Sequence, residues 1–327
     1  MAATLTTLAE LIVESYAAAW VTAMTENTFL LQRLESRGNV KRGAGAKLQW
    51  KAKYAGNTSA TSYSEVEAAA GAGNQAFKNA ELAWKLNRVE VSVGGLTQAA
   101  GASGGMIADP VQVEVQNGLR DLRKEITSQL MTDGTGNTSK DITGLLAAIA
   151  DTGTYANLDR ASYTWWKSYV NDNSGTPRNL TEILMRDVLS TLEERGAEIS
   201  AIYTGQAQWY KYGDLLRSER RQQNPTTMIG GYQALEYEGR PLIKIPGYPT
   251  GRIDFVDENQ IEFHILPPAS GQGASLNLRN VVALPDAASF GILPLGQTKD
   301  STDFWLIAYT QLRVNNPYHQ GSLQDLS

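Results

Sequence analysis

The chain has 327 residues, 42% of them apolar, a formal charge of -5 and no cysteine. That is enough apolar chain for one large or two ordinary cores, and it excludes disulfides, thiolate metal sites and cysteine nucleophiles. The acidic balance argues against a dedicated nucleic-acid binder, which carries a basic surplus on some domain, and no run of about 18 apolar residues is present to span a membrane.

Leu5 to Met24 is interrupted by Glu10, Glu14, Ser15 and Thr22, so it does not read as a cleavable secretory signal. A protein made and kept in a cytoplasm is expected. Thr7-Leu8-Ala9-Glu10 fits a capping box, and Leu8, Ile12, Tyr16, Ala19 and Ala23 then share one helical stripe. A second short helix is expected around Phe29 to Leu34, and Gly38, Gly43 and Gly45 make a flexible junction after it.

Lys47 to Tyr54 alternates polar and apolar residues without a break, the period of a strand with one wet face. Leu82 to Val93 reads as its return partner. Between them, Ala55 to Ala80 is a tip of small polar residues whose only larger apolar members are Tyr63, Val66 and Phe77. Connections longer than about 12 to 15 residues without structure of their own are usually functional or disordered, so the tip is a flap or an arm lying on something else. The return run also changes phase. Leu82, Trp84 and Leu86 share one face, Val89, Val91 and Val93 the other, with Asn87 and Arg88 at the switch. A bulge would do this, as would a strand of roughly 40 Å that packs on its own domain at the Val end and elsewhere at the Trp end.

Asp109-Pro110 is an N-cap followed by proline at the first helical position, and Val115, Leu119, Leu122, Ile126 and Leu130 make the stripe of a helix that Gly134 can close. The middle of the chain reads as α/β. Trp165 and Trp166 mark a buried or strand-like patch. Asn179 with Glu182 would cap a helix with the stripe Leu180, Ile183, Leu184, Val188 and Leu192, ended by Gly196. A strand at Ile199 to Thr204, a helix at Gln206 to Leu216, and strands on either side of a Glu238-Gly239 turn follow. Further strands are expected at Arg252 to Val256, Ile261 to Leu266, Ser289 to Leu295 and Phe304 to Val314, with a boundary loop at Pro267 to Asn277.

The residues offer little chemistry. There are only two histidines, His264 in an apolar strand and His319 near the polar C-terminus, too few for a zinc site without cysteine. Asp133 to Lys140 does not have the Gly-Lys-Ser/Thr order of a phosphate-binding loop. Glu193-Glu194, Asp257-Glu258 and the cluster Arg217, Arg220 and Arg221 read as solvated surface by default, the arginines alternatively as a contact for an acidic neighbour.

The order of parts resembles the major capsid protein of tailed bacteriophages, with the α+β Hong Kong 97-like fold. The local stretches that carry the resemblance are Asp133 to Asn137 followed by Ile142 to Leu146, Ala201-Ile202-Tyr203 into Gln208-Trp209, Tyr237 to Ile243 into Gly251 to Phe255, and Ala308-Tyr309 through Arg313 to Pro317. The resemblance implies an N-terminal arm (1–40), an extended hairpin loop (41–98), a peripheral domain (99–150 and 267–327) with a spine helix at about 109–133, and an axial domain (151–266). It implies a structural, non-enzymatic role without cofactor: hexamers and pentamers of an icosahedral phage head around double-stranded DNA, assembled in the cytoplasm of a bacterial host. Partners would be copies of the chain, scaffolding, portal or decoration proteins, and packaged DNA through non-specific inner-face contacts, with no membrane. Met1 leads almost directly into the arm, so a separate scaffolding protein, or none, is implied.

Candidate inter-subunit contacts are Trp50, Lys51, Lys53, Tyr63, Phe77, Trp84, Lys85, Leu86, Arg88, Arg217, Arg220 and Arg221. Trp50, Trp84 and Leu86 would bury their apolar face on a neighbour, and the hairpin cations would meet its carboxylates. Lys78 reads as solubilising rather than as a crosslink partner of Asn315 or Asn316. Two other readings stay open: an encapsulin-like shell around protein cargo, and an α/β enzyme with a lid hairpin and a polar pocket near His264.

Overall fold

The computed structural model describes residues 29–57, 59–68, 71, 73, 75–102, 110–218, 226–227, 233–267, 291–295 and 299–327. The stripe expected at Leu8 to Ala23, the Asp109 cap, Arg220, Arg221 and the loop beyond Pro267 lie outside these residues. Two sheets organise the rest. The first has five strands, ordered β1 (Val40–Arg42), β13 (Ile261–Leu266), β15 (Ser301–Val314) and β14 (Gly291–Pro294), with β4 (Lys85–Gly94) on the other edge of β15. The second has seven: β7 (Tyr169–Asn171), β16 (Gly321–Leu323), β12 (Ile253–Val256), β8 (Ala201–Thr204), β11 (Arg240–Lys244), β10 (Gln233–Tyr237) and β9 (Thr226–Thr227). A two-stranded hairpin, β2 (Lys47–Ala55) with β3 (Ala76–Ala83), stands apart from both.

The first sheet is backed by helix α3 (Pro110–Leu130), which follows α2 (Gly95–Ala102). The expected stripe holds, since Val115, Leu119, Leu122, Ile126 and Leu130 are all buried. Gly118 is why the helix can lie so close: a Cβ there would stand 2.9 Å from a Leu306 methyl and 3.1 Å from one of Val91. The helix has 21 residues, about 31 Å at 1.5 Å per residue.

Beyond it the chain makes a tight return. Gly134 takes φ +79° and Asn137, Thr138 and Ser139 are also left-handed, so Gly136–Ser139 is a turn rather than helix. The Gln129 side chain accepts from the Ile142 N–H at 3.2 Å. Gly144 then passes over the end of α3, where a Cβ would lie 2.6 Å from the carbonyl oxygens of Gln129 and Leu130.

The second sheet is packed on one face by the helices Glu182–Glu194 and Gln206–Ser218, through Met185, Val188, Leu189 and Leu192 against Ile202, Leu242, Ile253 and Phe255. The first of these helices is capped by Thr181, which accepts from the Leu184 N–H, rather than by Asn179. Ile183, expected in the buried stripe, is exposed. The other sheet face contributes Ala201, Tyr203, Ile243 and Ile245 to the core built around α3 and the first sheet. The β10–β11 turn sits at Glu238-Gly239 as expected, both with positive φ.

Two expectations are corrected here. The return run Leu82 to Val93 is two strands in different sheets, broken at Trp84: β3 pairs with β2, and β4 pairs with β15 from Lys85↔Thr310 to Gly94↔Ser301. Ala80 and Leu82 face inward before the break, and Asn87, Val91 and Val93 after it. The phase change is therefore a change of sheet, and it falls before Asn87 and Arg88. The C-terminal strands also divide. β15 belongs to the first sheet, but β16, placed by the sequence in the peripheral part, inserts between β12 and β7 of the second.

Where the chain crosses from β12 to β13 it makes a turn, Glu258–Gln260, and Glu258 is fully buried. Helix α1 (Phe29–Ser36) lies over it. Arg33 reaches the carboxylate at 2.7 and 3.1 Å, Arg37 at 2.7 Å, the Tyr203 hydroxyl at 2.5 Å and the Ser200 hydroxyl at 3.0 Å. Burial alone would raise the Glu258 carboxyl, but the hydrogen bonds of Arg33 and Tyr203 and the charges of both arginines hold it below its ordinary value.

Gly144→Ala should destabilise the subunit by about 1–3 kcal/mol in denaturant unfolding, because the clash is with backbone that cannot rotate away. The depressed Glu258 carboxyl contributes stability that is complete above its ordinary value of 4.5 and is lost as pH falls through the lowered folded value. Asp257 runs the other way, since burial raises it. Unfolding followed from pH 7 to pH 3 should therefore show wild type losing its advantage over Glu258→Gln as the pH drops, the neutral-pH gap being about 3–5 kcal/mol for two stranded arginines.

Candidate assembly surface

The hairpin is rooted on its own chain. In β2 the even residues Leu48, Trp50 and Ala52 face inward and Tyr54 stays largely exposed, paired with β3 in the register Leu48↔Leu82, Trp50↔Ala80 and Lys53↔Phe77, with a bulge between Lys53 and Ala55. They lie on an aromatic ledge formed by residues 154–166. Trp50 and Trp166 are 6.4 Å apart between ring centroids, Tyr54 stacks on Trp165 at 5.1 Å, and Trp166 donates to the Tyr155 carbonyl at 3.1 Å. The Trp50 indole donates to the Asn315 carbonyl at 3.2 Å and its ring lies under the Arg313 guanidinium. The Glu81 N–H reaches the Ala156 carbonyl at 2.9 Å.

The ledge is itself pinned. Arg160 is buried and donates to the carbonyls of Ala147, Ala148 and Thr152 at 2.7 to 2.9 Å, and the Tyr155 hydroxyl accepts from the Val314 N–H at 2.9 Å. Burial pushes the Tyr155 phenol far above its ordinary value, so it stays neutral. Neither Arg160 nor Tyr155 stands out in the sequence. The short two-strand turn Thr154–Tyr155 with Leu158–Asp159 that carries them has too few residues for a periodic signal.

Within the subunit several of the expected contact residues already have partners. Trp50 packs on its own subunit. Trp84 closes the gap between hairpin and junction, its indole donating to the Gly45 carbonyl at 2.9 Å and its ring occupying the space a Cβ at Gly43 would need. Lys85 donates to the Ser139 carbonyl at 2.6 Å, and partial burial lowers its ammonium while Asp141 opposes the shift. Arg88 stacks over Trp305 at 4.2 Å, and the same indole donates to Glu90. Lys78 lies over the Tyr163 ring. Leu86, by contrast, is 69% exposed.

What the chain does not cover is the outer stripe and the tip. Lys51 and Lys53 point outward from β2 and among the described residues have no carboxylate partner, whereas Lys47 pairs with Glu81 at 2.9 Å. Tyr63 is 81% exposed, Val66 97% and Phe77 51%. The tip's own polar contacts are local: Asn57 accepts from Ser59, and Glu67 from the Ser64 N–H. Arg217 lies in the helix Gln206–Ser218.

No described feature near His264 resembles a reaction centre. The ring is buried, its Nε2 lies 3.0 Å from Glu262, and Glu262 is in turn 3.3 Å from Arg313. A cavity of about 480 Å³ lined by Pro177, Gln208, Pro249 and Arg252 contains neither histidine. Among the described residues no group of three or more His, Cys, Asp or Glu is placed to hold a metal ion, and no helix is long and apolar enough to cross a membrane.

The fold agrees with shells. A chain of the cyanophage A-1(L) capsid asymmetric unit superposes with a TM-score of 0.76 over 99% of both chains at 19% identity. The encapsulin SrpI of Synechococcus elongatus PCC 7942 matches over 100% of this chain and 97% of that one, with a TM-score of 0.64 and 12% identity. The capsid of a native GTA particle matches over 97% and 96%, with 0.62 and 11%. No curated protein matches the sequence. The family model of the SU10 major capsid protein matches residues 2–327. The aromatic root, the uncovered tip and the Hong Kong 97-like fold thus belong to one kind of molecule: this chain is a member of the SU10 major capsid protein family, a structural protein of the phage capsid.

Proposed function

We propose that the chain builds the hexamers and pentamers of an icosahedral phage head enclosing double-stranded DNA, and that the hairpin is its principal inter-subunit arm. The observation that carries this reading is the division of the hairpin: its root is fixed on the parent subunit, and its tip presents Tyr63, Val66 and Phe77 to solvent. Three exposed large apolar residues at the end of one projection are costly to leave in water, and a second copy is the partner that a shell always supplies. The first sheet with α3 corresponds to the peripheral domain and the seven-stranded sheet to the axial domain.

Charge supports self-association as well. Glu114, Asp121 and Glu125 lie exposed along α3 at helical spacing, with the cations Arg120 and Lys124 beside them, and are groups of sign opposite to Lys51 and Lys53. An adjacent subunit's α3 is the surface we assign to that stripe. Scaffolding, portal or decoration proteins and non-specific inner-face DNA contacts complete the assembly, which takes place in the cytoplasm of a bacterial host. A second reading, a compartment around protein cargo, is favoured by the encapsulin likeness. The contents of purified particles separate the two, since nuclease-protected DNA supports the head and a co-purifying enzyme the compartment.

The variant Tyr63→Ser/Val66→Ser should leave subunit unfolding within about 0.5 kcal/mol of wild type, as surface changes do, and abolish shells in sedimentation and negative-stain images. Trp50→Ala should instead destabilise the subunit itself, by about 2–3 kcal/mol given its partial burial. For the charged stripe, Lys51→Glu/Lys53→Glu should slow assembly most at low salt, and adding Asp121→Lys/Glu125→Lys should restore it. Rescue failing at every ionic strength would remove α3 as the receiving surface.

A further inference from the structure

The two sheet units meet along an apolar seam, with Tyr203, Ile243, Ile245 and Val256 packed into the core around α3. Apolar contact is non-directional, so a seam of this kind resists separation but permits sliding. Among the described residues the chain crosses the seam three times, before β7, from β12 to β13 and from β15 to β16. The last two crossings lie side by side, with the Gln320 side chain bonded to both the N–H and the carbonyl of Asp257, and the Asn315 N–H donating to the Gln260 carbonyl at 2.7 Å. Paired crossings at one edge describe a hinge line. Something directional is needed to set the angle about it.

We infer that α1 with Arg37 is a strap that fixes the angle between the two sheet units, its clasp being the Glu258 carboxylate. On one side α1 is held by the first unit, through Leu30 and Leu34 in its core and Glu35 against Arg123 of α3 at 2.8 Å. On the other, Arg33 and Arg37 grip Glu258, which Tyr203 and Ser200 of the second unit hold in place from β8 and the residue before it. The Asn39 side chain adds a bond to the Glu258 carbonyl at 2.6 Å as the chain leaves the strap. Arg252 makes a separate crossing, to the Ile149 carbonyl at 2.7 Å, but it is a single bond to one backbone atom. The clasp has five side-chain bonds from two stretches of chain, and geometry of that kind has one register. A capsid subunit that occupies both six-fold and five-fold surroundings needs a defined resting angle and a defined place at which it yields, and the strap supplies both.

The test uses the absence of native cysteine. Cysteines introduced at Ser128 on α3 and Glu194 on the helix Glu182–Glu194, both exposed, carry spin labels in the full-length chain, diluted into unlabelled protein. Wild type should give one narrow inter-label distance. Arg37→Ala, whose side chain is 30% exposed and therefore tolerant of removal, and Glu258→Gln should broaden or shift it. Amide exchange at residues 30–37 should rise at least about tenfold in parallel, as local opening becomes easier. If Glu258→Gln fails to fold, Arg37→Ala alone decides. A distance distribution as narrow as wild type overturns the inference, whether or not exchange in α1 increases, because the angle would then be set without the strap.

Discussion

An indole against an indole holds this subunit's arm in place. Trp50 on the ledge residue Trp166 is the contact from which the hairpin projects, and without it β2 and β3 would be an isolated two-stranded ribbon, which is marginal in water on its own. Buried hydrogen bonds make the contact specific: Trp50 to Asn315, Trp166 to Tyr155, and Arg160 to three carbonyls beneath. Aromatic rings supply area, and their N–H groups supply register. A stiff root lets a polar tip be long, because the tip needs no core of its own. Its apolar residues can then be reserved for a neighbour.

The same economy appears at the seam between the sheets. The apolar faces of β8 and β11 serve two cores at once, Ile202 and Leu242 on one side and Tyr203 and Ile243 on the other. A sheet buried on both faces cannot rotate without exposing one of them, so the remaining freedom is small and lies along the hinge line. Glu258 sits on that line. Its carboxylate is costly to bury and is held charged by two guanidiniums, an arrangement that contributes less net stability than geometric definition.

Periodic features were readable from the residues: the α3 stripe, the alternation of β2, the Glu238-Gly239 turn and the strands at Ile261 to Leu266 and Phe304 to Val314 all hold. The return run was misread in one respect because its phase change has no sequence marker of its own. Trp84 looks like one more residue of the apolar face until pairing shows that β3 ends there and β4 belongs to β15. Alternation tells which residues share a face but not whose core that face meets, so the intrachain partners of Trp50 and Lys85 are not readable from it. The partners of Trp50 come from residues 155–166 and 313–315, a separation no local pattern encodes. Glu258 was read as solvated turn for the same reason, since the arginines that justify its burial lie more than two hundred residues earlier. The short β16 was missed because three residues carry no period.

The most direct measurement of the central claim is a cryo-microscopy map of the assembled particle at side-chain resolution, read at one place, the surroundings of Tyr63 and Val66. The account predicts that both are buried against an adjacent subunit while Trp50 remains on Trp166 of its own. A map in which the tip lies in solvent or on its parent chain, with the particle intact, would contradict it.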